Sequence, residues 1–139
     1  MRRLQTSTAA ETEAIGAQVA EGLSLGDVVL VEGEMGAGKT TFVRGASRAL
    51  GVQRPVTSPT FTVGQRYHGR VPIVHLDLFR IEHLDAEEPG FLGDYLGPDT
   101  IGFVEWPVAG NEELLALARI AVRVRIAHAG GDARILEIE

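Results

Sequence analysis

The sequence predicts an α/β protein with a mixed, mainly parallel β-sheet and a C-terminal antiparallel hairpin, and three observations lead to this fold class. Four consecutive apolar residues at 28–31 predict a buried strand, and apolar residues at helical spacing over 41–50 predict a helix soon after it. Short apolar runs at 71–76 and 100–105 predict further strands. Apolar residues alternate over 120–126, and a second run at 134–138 follows a Gly-Gly turn, which predicts the hairpin.

Length and composition limit the classes of protein that this chain can belong to. A chain of 139 residues predicts one domain covering 1–139. The net charge of −6 and the absence of a Lys/Arg block argue against nucleic-acid binding by this chain alone. The absence of cysteine excludes disulfides and thiolate metal sites. No apolar run resembles a signal peptide or reaches membrane-spanning length, so we expect a cytoplasmic, soluble protein with no membrane partner.

The stretch between the first buried strand and its helix carries the strongest motif. Residues 33–40 read Gly-Glu-Met-Gly-Ala-Gly-Lys-Thr and match G-x-x-x-x-G-K-[ST], the phosphate-binding P-loop. Its glycines let the backbone curl so that N–H groups converge on a polyphosphate, and the helix adds its N-terminal donors. Lys39 is expected at the β- and γ-phosphates, and the Thr40 hydroxyl suits Mg²⁺. The predicted nucleotide-binding set is Gly33, Gly36, Ala37, Gly38, Lys39, Thr40 and Thr41.

Two carboxylates end predicted strands. Asp77 and Glu105 come at the carboxyl ends of the strands over 71–76 and 100–105. Such ends line one crevice of a parallel sheet, so with Lys39 they are the predicted catalytic residues. His75 shares a strand face with Asp77, and a buried, hydrogen-bonded histidine is favoured there over a metal ligand.

Several segments have two interpretations. A capping box at Thr8 begins a helix over 8–22, which either only packs on the sheet or also brings Thr12 near the nucleotide base. Ser58 and Thr60 lie in a segment that is either a connector or a switch loop, and Trp106 is either a core aromatic or coupled to the site. The sequence also predicts a hairpin turn at 68–70, an acidic loop or weak helix at 82–88, a short helix at 91–96 and a weak helix at 112–118. Arg123 and Arg125 are either solvated or part of a partner-docking face, and the solvated interpretation is favoured.

Four blocks in this order resemble the bacterial TsaE family, the P-loop ATPase subunit of tRNA threonylcarbamoyladenosine synthesis. They are residues 33–42, Ser-Pro-Thr-Phe at 58–61, His-Leu-Asp-Leu-Phe-Arg at 75–80 and Glu-Trp at 105–106. The chain departs from the family pattern with Glu34-Met35 for Asp-Leu and with Phe79 for Tyr, which removes a hydroxyl.

The resemblance implies a three-layer P-loop fold that binds ATP and Mg²⁺. It implies that Thr40 and Glu105 contact the metal, with Asp77 orienting water or Thr40. It also implies that ATP hydrolysis supports the partner proteins TsaB and TsaD, of which TsaD performs the transfer to the adenosine beside the anticodon, so that tRNA is met only indirectly.

Two alternatives remain open at this point: a small-molecule P-loop kinase, and a nucleotide-sensing adaptor without significant hydrolysis. A kinase usually closes a lid with several arginines over the transferring group, and the chain offers few arginines beside the loop. A signalling GTPase is disfavoured, because its N-K-x-D motif needs a lysine after asparagine, and Asn111, the only asparagine, precedes Glu112.

Overall fold

A computed structural model describes residues 2–34, 36–57, 64–77, 95–106 and 120–139. Within them the chain forms two helices and seven strands: β1 (Arg2–Thr6), α1 (Ala9–Glu21), β2 (Val28–Glu32), α2 (Lys39–Ala49), β3 (Gly64–His68), β4 (Pro72–Asp77), β5 (Ile101–Trp106), β6 (Ile120–His128) and β7 (Arg134–Ile138). No helix in these ranges has the length and hydropathy needed to cross a lipid bilayer.

The seven strands form one mixed sheet in the order β1-β7-β6-β2-β5-β4-β3. The four central strands, β6, β2, β5 and β4, are mutually parallel. The outer pairs β1–β7, β7–β6 and β4–β3 are antiparallel. The predicted fold class, α/β with a mixed sheet and a C-terminal antiparallel hairpin, is therefore confirmed. Because β2 is parallel to both of its neighbours, the loop that follows it emerges at the carboxyl edge of the parallel strands, in the middle of the sheet.

Both faces of the central sheet are buried, as expected for strands with layers on either side. One face joins α2 in the main hydrophobic core, where Val29, Val31 and Phe103 contact the group of Phe42, Val43 and Ala46. The other face carries Val28, Leu30, Val74, Leu76 and Val104, all buried. On this second face Leu96 lies so close to Gly102 that a Cβ there would be 2.5 Å from Leu96 Cδ2.

The two helices pack against each other at unusually short range, and two glycines allow it. A Cβ on Gly16 of α1 would lie 2.2 Å from the Phe42 carbonyl oxygen. A Cβ on Gly45 of α2 would lie 2.0 Å from the Glu13 carbonyl oxygen. Arg44 and Arg48 of α2 also form ion pairs with Glu13 at 3.7 and 3.6 Å. The direct backbone contact fixes α2, and therefore the loop before it, relative to α1.

The predicted elements agree with the structure except at a few points. Thr8 caps α1 through the Glu11 N–H, as the capping box predicts. The helix after the P-loop begins at Lys39 rather than at residue 41. Strand β1 was not predicted, because its two arginines and its glutamine give it no apolar alternation. The predictions for residues 58–61, 82–88, 91–94 and 112–118 lie outside the described residues.

We predict that Gly45→Ala destabilises the protein strongly. In an open helix interior this change would stabilise by about 1 kcal/mol, but here the new methyl group meets the α1 backbone, and overpacking costs about 1–3 kcal/mol or more. Urea unfolding should show a clearly lowered midpoint. Gly22→Ala is the matched control, since Gly22 has φ −92° and the nearest atom to its Cβ is 3.8 Å away. Equal midpoints for the two variants would contradict close packing of the helices.

Candidate phosphate-binding site

The loop between β2 and α2 has the backbone shape that its glycines predict. Gly36 and Gly38 adopt φ values of 77° and 105°, a left-handed region that other residues rarely enter. Gly38 is the N-cap of α2, and no side chain among the described residues caps the helix there. The first N–H groups of α2 are therefore open to a bound anion, and the helix dipole places partial positive charge at the same point.

Lys39 is folded back onto the loop that precedes it. Its Nζ donates to the carbonyl oxygens of Gly33 at 2.6 Å and Glu34 at 3.0 Å, and the residue is buried. Burial lowers the pKa of Lys39 below its usual 10.5, although the charges of Glu105, Asp77 and Glu34 act in the opposite direction. An ammonium group thus lies inside the loop, close to where a phosphate would approach the start of α2.

Glu105 is the point where three elements meet. The Thr40 hydroxyl, in the first turn of α2, donates to both Glu105 oxygens at 3.1 and 3.2 Å. From the neighbouring strand β4, Nε2 of His75 is hydrogen-bonded to Glu105 Oε2. Both His75 and Glu105 are buried, so the carboxylate needs these partners to be tolerated there. The burial of His75 and its hydrogen bond to Glu105 confirm the buried, hydrogen-bonded histidine that the sequence favoured, while its Nδ1 has no hydrogen-bond partner among the described residues.

Strand register brings the second carboxylate to the same place. Asp77 pairs with Glu105 across the parallel strands β4 and β5, and Glu105 pairs with Val31 near the end of β2. Adjacent strands lie about 4.8 Å apart, so the two carboxylates are neighbours at the carboxyl edge of the sheet. The Asp77 charge also acts on Lys39. The three predicted catalytic residues are thus brought together.

Two features of the site were not predicted. Glu32, the last residue of β2, is buried and forms an ion pair with Arg123 of β6, while Arg125 Nε lies 3.9 Å from it. The hydrogen bond to Glu32 raises the pKa of Arg123 above its usual value. The hairpin arginines, expected to be solvated, therefore include one that anchors the strand leading into the loop. The sequence did contain a signal for this ion pair, because Glu32 directly follows the apolar run 28–31 of a predicted buried strand.

The second unpredicted feature is Arg134 of β7. Its Nε donates to the Ala37 carbonyl at 2.7 Å and its Nη2 to the Gly36 carbonyl at 3.2 Å. No local pattern in the sequence connects Arg134 with a loop 97 residues earlier.

A cavity of about 460 Å³ opens beside the first half of the loop. Its lining combines the loop residues Gly33, Glu34 and Ala37 with Arg125, His128 and Glu137 of the hairpin. The hairpin is therefore part of the wall around the loop rather than a separate appendage.

The remaining predicted residues lie as follows. Thr12 is buried, and its hydroxyl is hydrogen-bonded to that of Thr6 at 2.8 Å, which ties α1 to β1. A contact of Thr12 with a nucleotide base stays a prediction, as does the nucleotide contact of Thr41, which is half-buried in α2. Ser58, Thr60 and the side chain of Trp106 lie outside the described residues.

The donor atoms present fit Mg²⁺ with a nucleotide. A threonine hydroxyl and a carboxylate converge, and oxygen is the ligand type that Mg²⁺ prefers. In the described ranges no group of three or more His, Asp or Glu side chains is arranged to hold a metal ion. Mg²⁺ characteristically completes its shell with waters and phosphate oxygens, so two protein ligands suffice at a nucleotide site.

Comparison with known proteins agrees with the sequence resemblance. The family model for "Threonylcarbamoyl adenosine biosynthesis protein TsaE" matches residues 6–135. The chain is similar to the tRNA threonylcarbamoyladenosine biosynthesis protein TsaE of Bacillus subtilis, with 38% identity over 89% of this chain and 76% of that protein. The protein of the same name from Streptomyces coelicolor is 40% identical over 85% and 80% of the two chains. A crystal structure of Bacillus subtilis YdiB aligns with a TM-score of 0.70 and 30% identity, covering 97% of this chain and 82% of that one.

We predict that the Lys39 ammonium titrates below pH 10.5 and that ADP raises its pKa. Desolvation disfavours the charged form in the protein alone, whereas bound phosphates would favour it. Lys39 is the only lysine, so ¹³C-lysine labelling gives a single Cε resonance whose shift can be followed against pH. Glu105→Gln should lower the midpoint further, because it removes a charge that raises this pKa. A midpoint at or above 10.5 without nucleotide would refute the buried position.

Proposed function

The chain belongs to the TsaE family, and from this premise we propose that it binds and hydrolyses ATP with Mg²⁺ in support of tRNA threonylcarbamoylation. Involvement in threonylcarbamoyladenosine biosynthesis follows from the family itself. We further propose that the chain acts in the cytoplasm with TsaB and TsaD, that it meets tRNA only through them, and that the transfer chemistry belongs to TsaD. The observation that carries the ATPase proposal is the meeting of Lys39, Thr40 and Glu105 at one glycine-rich loop.

Binding is the first task that the chain's own residues can perform. The N–H groups at the start of α2 and the Lys39 ammonium would hold the phosphates. Lys39 is already ordered by two carbonyl oxygens, so little side-chain entropy remains to be lost on binding. Its third N–H donor is the one we assign to the nucleotide.

Thr40 and Glu105 would hold the metal. Mg²⁺, when bound, neutralises charge on the β- and γ-phosphates. His75 and Thr40 both bind Oε2 of Glu105, so the carboxylate is held at the start of α2. Asp77, one strand away, is the group that we propose orients the attacking water or the Thr40 hydroxyl.

The geometry supports an ATPase more than a kinase. The two arginines on α2, Arg44 and Arg48, both form ion pairs with Glu13, and Arg44 also donates to the Val56 carbonyl. They are therefore engaged in fixing α1 to α2. Arg134 points its donors at loop carbonyls. We propose that a partner supplies the arginine finger for the γ-phosphate and so completes the site.

We predict that Glu105→Gln abolishes the Mg²⁺-dependent part of ADP affinity, a loss of about tenfold or more, because a neutral amide is a poor Mg²⁺ ligand. Titration calorimetry with and without Mg²⁺ measures it directly. Trp106 follows Glu105 in sequence and is the only tryptophan, so its fluorescence should show the same loss. Glu21→Gln, an exposed change at the end of α1, is the control. An unchanged Mg²⁺ dependence in Glu105→Gln would remove Glu105 from the metal site.

We predict slow phosphate release by the purified chain and faster release with the TsaB–TsaD pair. An arginine finger supplied by a partner raises rates by roughly 10³–10⁵ in related chemistry. Lys39→Ala gives the background rate. Fast turnover without partners, or none with them, would contradict the proposal.

The chain alone should also fail to retain tRNA at about 0.15 M salt. The structure brings Arg54 and Arg66 to one surface cavity, but two arginines fall short of the roughly 6–10 phosphate contacts typical of tight nucleic-acid binding. Filter retention of labelled tRNA tests this. Tight binding by the isolated chain would assign it a different role.

A further inference from the structure

Arg134 is bound entirely to backbone carbonyl oxygens. Besides Ala37 and Gly36 in the phosphate loop, it donates to Gly131 at 2.7 Å and Ala133 at 2.8 Å in the turn between β6 and β7. In the part of the chain that the structure describes, no carboxylate forms an ion pair with it. Its positive charge therefore lies against the loop without a neutralising acid among the described residues.

Arg134 passes directly beside Gly38. A Cβ on Gly38 would lie 3.4 Å from Arg134 Nε and 3.8 Å from its Cδ, which is van der Waals contact. The guanidinium therefore lies against the backbone of Gly38, whose φ of 105° is the reason that a glycine is needed there.

The hydrogen bond from Arg134 to the Ala37 carbonyl also determines where the Gly38 N–H points. In a trans peptide the N–H points away from the C=O of the same unit. By holding the Ala37 carbonyl, Arg134 turns the Gly38 N–H to the side of the loop facing away from the guanidinium. Donation from a cation also strengthens the polarisation of that peptide unit.

We propose that Arg134 is a positioning residue for the phosphates, which fixes the 37–38 peptide and adds a positive charge behind it. This inference rests on the proposed nucleotide binding. It assigns to the C-terminal hairpin a direct part in the affinity for the polyphosphate, independent of the metal side formed by Thr40 and Glu105. The ligand chemistry it concerns is a diphosphate group, whatever is attached to it.

The test compares Arg134→Met and Arg134→Lys with Arg2→Met, which removes one exposed arginine from neighbouring β1. Calorimetry should show ADP and inorganic pyrophosphate binding weakened about tenfold or more in Arg134→Met, with the Mg²⁺ dependence retained. Arg134→Lys should retain only part of the affinity of the unaltered chain, because an ammonium lacks the planar fork that spans two carbonyls. Arg2→Met should bind like the unaltered chain.

A second readout does not require a nucleotide. In ¹⁵N–¹H spectra, the Gly38 amide resonance of Arg134→Met should move markedly from its position in the unaltered chain, and that of Arg2→Met should not. If Arg134→Met does not fold, Arg134→Lys carries both readouts. Unchanged pyrophosphate affinity and an unmoved Gly38 amide in a folded Arg134 variant would overturn the inference. If the unaltered chain binds neither ADP nor pyrophosphate, the proposed function fails instead, and the Gly38 amide still tests the contact.

Discussion

The loop between β2 and α2 curls around its own backbone, and most of its carbonyl oxygens have hydrogen-bond donors that come from outside the curl. Each described loop residue from Gly33 to Gly38 has one: Lys39 binds the first two carbonyls, Arg134 binds those of Gly36 and Ala37, and the Phe42 N–H binds that of Gly38. A buried carbonyl without a partner costs about 1–3 kcal/mol. The shape of the loop therefore depends on two cations, one from α2 and one from β7, as much as on its glycines.

The same dependence on partners explains the arrangement around Glu105. A carboxylate at the buried end of β5 is costly unless donors surround it, and Thr40 and His75 supply them from α2 and β4. Parallel register then places Asp77 beside it. The three contributing elements also contribute Phe42, Ile73 and Phe103 to the core on the α2 face of the sheet. Packing of the core and alignment of the polar groups are therefore achieved by the same contacts.

On the face of the sheet away from α2, strand β2 is held by ion pairs between Glu32 and two arginines of β6. Glu32 points to the side opposite α2, where Arg123 and Arg125 of β6 meet it. A register shift between Val28 and Val29 sets this alignment, because an extra β6 residue lies opposite that step and brings Arg125 level with Glu32. The residue before the loop is thereby fixed by the hairpin, and Arg134 of the same hairpin fixes the loop itself. The C-terminal strands thus support the site from two directions.

The sequence by itself determined the local units of this protein. Apolar runs and helical spacing predicted β2, α2, β4, β5 and the hairpin, because periodicity decides which face of an element is buried. The motif at 33–40 fixed the loop, since only glycine suits the backbone at Gly36 and Gly38. Placing Asp77 and Glu105 at strand ends also needed only the sequence, once the strands were taken as parallel.

Tertiary structure alone decided which distant elements lie side by side. Strand β1 exists because β7 offers it an open edge, and its own residues carry no such signal. The partners of the site, Arg134 with Ala37, Arg123 with Glu32 and His75 with Glu105, are separated by 97, 91 and 30 residues. Local periodicity assigns a side chain to a face of its strand, but strand order and register select the group that it meets, and these depend on packing of the whole sheet against α2.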